Sequence, residues 1–191
     1  MPERQCDTMK IVPLALILTG MLLIGGFVFI WFGVFNVAAT EQHSELTLWL
    51  ISVVRDRSIA ERATSPSEPS LKDPQRIKDG FRSYHTMCAV CHSVPGHKAS
   101  PTRRGLNPKP PRLYTKQVQR RSDTELYWII EHGIRMTGMP AFGSTHSPEE
   151  IWGLVGFVRQ LPELSPQQYQ ALVTAEGFQS EITDADEHHE D

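Results

Sequence analysis

The chain has 191 residues, 40% of them hydrophobic, and a formal charge of −3. These values exclude disorder of the whole chain, and three cysteines, Cys6, Cys88 and Cys91, exclude a disulfide framework. The charge is unevenly placed: Ser70 to Ser165 carries 14 Lys/Arg against 8 Asp/Glu, whereas Pro166 to Asp191 carries no Lys/Arg and 7 Asp/Glu. The middle of the chain is therefore basic and its end acidic.

Ile11 to Ala39, "IVPLALILTGMLLIGGFVFIWFGVFNVAA", is a run of 29 residues without a charge. About 20 suffice to cross the hydrocarbon core of a bilayer. A transmembrane anchor is expected over 11–35, after a short N-terminal segment 1–10, with Trp31 near the far interface. Val37-Ala38-Ala39 has the small residues of a signal cleavage site. A signal h-region is only about 7–15 residues long, so a retained anchor is the better reading. Over 36–63, Leu46, Trp49, Leu50 and Val53 share one helical stripe, which predicts a juxtamembrane amphipathic helix with Trp49 near the headgroups. "TSPSEPSLK", 64–72, reads as a linker.

The segment 73–164 carries three helix-start signals and no convincing strand. Asp73 caps a helix that begins at Pro74. Ser122 and Glu125 form one capping box, and Ser147 and Glu150 another. The expected helices are 74–87, 123–132 and 148–160, with Gly133 closing the second and Leu161-Pro162 the third. A further short helix is expected within 165–177. The tail 178–191 is acidic and low in complexity, which predicts disorder. About 30 residues rich in Pro, Gly and basic side chains separate the first two domain helices, too many for a compact helical domain to leave empty. That loop needs something to wrap around.

Cys88-Ala89-Val90-Cys91-His92 admits three chemistries. A redox dithiol wants a βαβ context, which is missing. A structural zinc site needs four ligands, and adjacent Cys and His rarely converge on one tetrahedral ion. Covalent haem attachment needs two thiols one helical turn apart and an imidazole just after them, which is this arrangement. Haem iron then wants a sixth ligand. Met139, in "Gly138-Met139-Pro140-Ala141-Phe142-Gly143", is a thioether in a loop and is the first candidate, with Met136 its rival; open or histidine coordination is the third possibility. His85, His97 and His146 read as surface or loop polar groups. Trp128 and Ile129 are expected to pack on the haem from the second helix.

With these residues in view, the chain resembles the class I c-type cytochromes over Asp73 to about Leu164. The resemblance rests on Gly80 and Tyr84 ahead of the first haem cysteine, Cys-x-x-Cys-His, Pro111-Arg112-Leu113 (with Pro110 beside it) and the Gly138-Met139-Pro140 loop. It implies an all-α domain around one covalent haem c, preceded here by an N-terminal transmembrane helix. It implies a first helix packed on the last, with Gly80 and Tyr84 facing Trp152, Gly153, Gly156 or Phe157. It also implies thioethers at Cys88 and Cys91, iron ligation by His92 and Met139, and a Pro111 carbonyl that orients His92.

Haem is attached outside the cytoplasm in that family. The implied topology is a single-pass bacterial inner-membrane protein, with its haem domain in the periplasm and Cys6 left on the other side. The expected function is one-electron transfer by a carrier rather than an enzyme. A fixed subunit of a respiratory or dehydrogenase complex, and a small-ligand-binding haem sensor or enzyme, are the alternatives. From Ser93 to Ser122 there are eight Lys/Arg and no acidic residue. Lys98, Arg103, Arg104, Lys109 and Arg112 are therefore the expected docking face for an acidic redox partner. Nucleic acid is not an expected partner in that compartment. His188 and His189 in the tail offer a transition-metal reading, although a solvated tail is the simpler one.

Overall fold

The computed structural model describes residues 3–64 and 70–178, with side chains from residue 12 onward. The expected linker falls largely on 65–69 and the acidic tail on 179–191, both outside the described residues, as are 1–2. The chain divides into two units, Met1–Glu41 and Gln42–Asp191.

The first unit is one long helix, α1 (Glu3–Trp31). Its stretch Val12–Trp31, 20 residues, is long and apolar enough to cross a membrane. The helix stops at Trp31, four residues short of the expected Phe35, although the apolar run continues. The reason is local. Gly33 adopts φ 61°, its N–H donates to Ile30 O at 3.1 Å, and the Val34 N–H donates to Phe29 O at 3.3 Å. This is a Schellman cap, which glycine accepts without a Cβ penalty.

The second unit is entirely helical among its described residues: α2 (Glu45–Arg62), α3 (Pro74–Ser83), a π-turn (Tyr84–Cys88), α4 (Ala89–His92), α5 (Pro101–Gly105), α6 (Lys116–Gln119), α7 (Asp123–His132), α8 (Pro148–Gln160), a 3₁₀ turn (Leu161–Glu163) and α9 (Pro166–Ala175). The caps are the ones the sequence announces. Asp73 accepts from Gln75 N–H at 2.9 Å, and capping boxes start α7, α8 and α9 at Ser122, Ser147 and Ser165. The first domain helix differs from expectation. It runs through to His92, but widens at Tyr84–Cys88, where the Ala89 N–H reaches back five residues to Tyr84 O.

α8 is the spine of this unit. Its residues Ile151 to Val158 are all buried, as expected of a helix apolar on every side. α3 crosses it where Gly80 meets Gly153, so the two backbones touch. Phe81 lies beside the crossing, with ring centroids 5.3 Å from Phe157 and 5.6 Å from Tyr169. Each such ring, fully buried, contributes roughly 2–3 kcal/mol of transfer free energy. Arg159 ties the end of α8 to its neighbours: Nε donates to Asp123 Oδ1 at 2.6 Å and Nη1 to Gln119 O at 2.9 Å. The cation sits in the last turn of α8 and its carboxylate partner in the first turn of α7, so both helix dipoles favour the pair.

α2 packs on α7 through its C-terminal half. Ile59 is 2% exposed, and Asp56 Oδ1 accepts from Arg121 Nη2 at 2.6 Å. Burial works against ionisation of Asp56, but hydrogen bonds from Arg55 and Arg121 outweigh it and hold the carboxyl below its ordinary value of 3.8. A depressed carboxyl stabilises docking above its unfolded pKa, and that stability is lost as pH falls through the lower folded value. We expect amides of residues 56–62, followed by hydrogen exchange and corrected for intrinsic rate, to lose protection once pH drops below about 4. Asp56→Asn should remove that pH dependence; unchanged pH dependence in the variant would place its origin elsewhere.

Candidate functional site

The π-turn and α4 present three reactive side chains. Cys88 ends the turn, and Cys91 and His92 sit one helical turn further on, in the last residues of α4. Neither thiol is in a disulfide, and both are partly buried. Burial, with Cys91 adding to it, pushes the Cys88 thiol up to about 12. A reactive dithiol needs a depressed pKa, so this pair is a poor redox switch at neutral pH. Among the described residues no three His, Cys, Asp or Glu side chains group to hold a metal ion. Cys88, Cys91 and His92 therefore do not aim at one zinc.

His92 is buried and held from two sides. Its Nδ1 lies 2.7 Å from Pro111 O. A carbonyl can only accept, so Nδ1 carries the proton and Nε2 keeps its lone pair. Burial lowers the imidazole pKa, the bond to Pro111 opposes that, and the Arg103 cation lowers it further. Behind His92, Ser93 turns the chain at φ 63°. The fully buried Tyr84 donates from its hydroxyl to Ser93 O at 2.6 Å. Tyr84 thus pins the end of α4 to the π-turn that carries Cys88.

Met139 lies in the loop after α7. Gly133, at φ 65°, turns the chain, and a Cβ there would sit 2.7 Å from Met139 O and from the Pro140 carbonyl. The loop is sewn back onto α7: Phe142 N–H donates to Ile130 O at 3.1 Å, Gly143 N–H to Glu131 O at 2.9 Å, and Ile134 N–H to Met139 O at 3.2 Å. Thr137 Oγ1 accepts from Met139 N–H at 3.1 Å. Leu106, from the loop that also supplies Pro111, packs so closely on Gly138 that a Cβ there would be 2.7 Å away. The loops bearing Pro111 and Met139 are thereby joined. Met136 stands apart, 92% exposed at φ 61°.

Among the aromatic and histidine side chains, His85 departs from its expected surface place. Trp128 stacks on His132 at 4.7 Å, while Leu126 and Tyr127 are the buried side chains of α7, Tyr127 lying 4.7 Å from Trp152. His85 is enclosed by aromatics: its ring is 4.7 Å from Phe178 and its Nδ1 is 3.0 Å from Tyr169 Oη. Neither Tyr169 nor Arg159 carried a signal in the sequence. His97 bonds locally to Pro95 O, and His146 lies against Thr145 and Phe142. The basic loop is not uniform. Arg121 is tied to Asp56 and Glu125, whereas Arg104 and Lys109 are exposed.

The fit of this site to a haem can be tested on one atom. Arg103 Nε is buried and has no hydrogen-bond partner, and the charge of Arg103 is felt at His92. A buried guanidinium N–H without a partner wants an acceptor, and the positive charge behind it favours an anionic one. Two unpaired thiols one turn apart, an imidazole whose Nε2 keeps its lone pair, and such a donor suit a planar macrocycle bearing carboxylates. The residues fit the group.

Residues 75–158 match the family model described as cytochrome C oxidase, cbb3-type, subunit III. That stretch is a class I c-type cytochrome domain, the kind that carries haem c covalently. Among solved structures, the chain is similar to one from the Kuenenia stuttgartiensis reducing HAO-like protein complex Kustc0457/Kustc0458, at 26% identity over 52% of its own length and a TM-score of 0.43. It spans about half, 48%, of that chain. It is also similar to the c-type cytochrome XoxG from Methylobacterium extorquens AM1, at 21% identity over 63% of its own length and 90% of the other, with a TM-score of 0.36. No curated protein matches the chain.

Proposed function

We propose that the chain is a membrane-tethered monohaem cytochrome c that passes single electrons at the periplasmic face of a bacterial inner membrane. α1 is its anchor, with the N-terminus cytoplasmic, since c-type haem is attached on the outer side. Cys88 and Cys91 hold the haem through thioethers, His92 Nε2 and Met139 ligate its iron, and the Pro111 carbonyl orients His92. When bound, the haem supplies an iron centre that takes up and releases one electron. The protein's own part is to hold the imidazole, keep it neutral, bury it, and steer a partner. The observation that carries this reading is His92, locked through Nδ1 by Pro111 so that Nε2 keeps its lone pair, next to two unpaired thiols one turn apart.

Lys98, Arg103, Arg104, Lys109 and Arg112 form the docking region for an acidic redox partner. The exposed Arg104 and Lys109 do the steering, while Arg103 turns its Nε inward. A second reading, a fixed subunit of a membrane oxidoreductase complex, is favoured by the family description, which names an oxidase subunit. Native sizing after mild detergent extraction separates the two readings. The primary test is a reduced-minus-oxidised spectrum of the full chain made with a haem c maturation system. We expect a c-type band that stays with the polypeptide after denaturation and is lost in the Cys88→Ser, Cys91→Ser double variant. Absence of that band in the parent chain would sink the assignment.

A further inference from the structure

α2 changes character halfway along its length. From Leu46 to Val54 it holds no charged residue, whereas Arg55, Asp56 and Arg57 follow at once. Leu46, Leu48, Trp49, Leu50, Ile51, Val53 and Val54 are 39–72% exposed. At 100° per residue these positions surround the helix rather than line one stripe. The two hydroxyls among them are satisfied locally: Ser52 Oγ donates to Trp49 O at 2.7 Å, and Thr47 Oγ1 pairs with Ser44 Oγ at 2.8 Å. This half-helix is apolar on all sides and its side-chain hydroxyls are paired, yet the described residues do not cover it.

We infer that Leu46–Val54 is seated in the acyl region of the outer leaflet of the bilayer that α1 crosses, just below the headgroups; this rests on the anchoring reading above. Two observations select lipid over a protein groove. A groove covers one face of a helix, whereas lipid surrounds it without a shaped partner. In addition, only residues 32–44 separate the end of α1 from the start of α2. At about 3.4 Å per residue the patch cannot leave the membrane by more than roughly 45 Å. Both ends of the apolar stretch are charged, Glu45 before it and Arg55 after, so each end can reach the headgroups while the middle is submerged.

The seat has a consequence for the site. The other half of α2 packs on α7, with Ile59 buried and Asp56 paired to Arg121 just ahead of α7. The last turn of α7 holds the Met139 loop through Ile130 O and Glu131 O. Seated in lipid along one half, α2 thus reaches the Met139 loop through α7 along the other.

The test places single nitroxides on the full, haem-loaded chain in nanodiscs, in a Cys6→Ser background. Leu46→Cys, Leu48→Cys, Trp49→Cys and Ile51→Cys sample four directions around α2. Leu22→Cys reports α1, and Arg57→Cys and Gln117→Cys report water. Each variant is accepted only with an unchanged c-type spectrum. We expect all four α2 labels to be relaxed more by oxygen than by an aqueous nickel chelate, as at Leu22, with the order reversed at Arg57 and Gln117. Any of the four siding with water, while Leu22 sides with lipid, overturns the seat and spares the anchor. Labels immobilised and shielded from both relaxers overturn it in favour of a protein partner or a second copy. Leu22 siding with water brings down the anchor and the seat together.

Discussion

Met139→Ala in the haem-loaded chain should abolish the methionine-to-iron charge-transfer band and lower the reduction potential by on the order of 0.1–0.2 V, a modest part of the range over which axial ligands act. A thioether favours the reduced iron, so its loss shifts the balance toward the oxidised form. The loop should survive the substitution, because it is held by backbone groups: Phe142 N–H to Ile130 O, Gly143 N–H to Glu131 O and Ile134 N–H to Met139 O. The effect can therefore be read as loss of a ligand rather than loss of a fold. Met136→Ala should leave both band and potential unchanged, since Met136 is solvent-exposed and in a left-handed backbone conformation. The opposite pair of results would move the ligand to Met136.

Gly80→Ala should destabilise the domain strongly, because among its glycines Gly80 has the closest contact for an added Cβ. Its Cβ would lie 2.0 Å from Gly153 O, 2.4 Å from Gly153 C and 3.0 Å from Leu154 N, all of them backbone atoms that no rotamer change can move. α3 and α8 would have to part. We expect a loss of about 2–4 kcal/mol and a fall in Tm of roughly 10–15 °C by calorimetry or circular dichroism. Reciprocal changes should rank behind it. A Cβ at Gly153 meets Arg76 O at 2.9 Å, and one at Gly156 meets Leu71 O at only 3.3 Å. A Gly80→Ala variant as stable as the parent would mean that the crossing is looser than described.

The haem motif and the helix starts were legible because they are local. A capping box joins residues three apart, and Ser122 and Ser147 each form the one expected. Cys88 and Cys91 lie one turn apart in any helix, and the apolar run of α1 needs no partner to declare itself. What was illegible lies where distant residues meet. Trp128 and Tyr127 are neighbours of similar character, and only the packing of α7 on α8 decided which one is buried. Nothing in the sequence marks Arg121, among the eight cations of the basic loop, as the partner of Asp56, 65 residues away.

By itself, then, the sequence determined the helical class, the haem-binding pentapeptide, the membrane-length helix and the basic character of the loop, since each is a matter of composition or short spacing. Tertiary structure alone decided three things. It brought Tyr169 Oη to within 3.0 Å of His85 Nδ1, 84 residues away. It widened the helix at Tyr84–Cys88 so that the Tyr84 hydroxyl reaches Ser93 O. It also divided α2 into a half docked on α7 and a half left bare. Each depends on which atoms come within about 3 Å across long loops, a quantity that spacing along the chain does not encode.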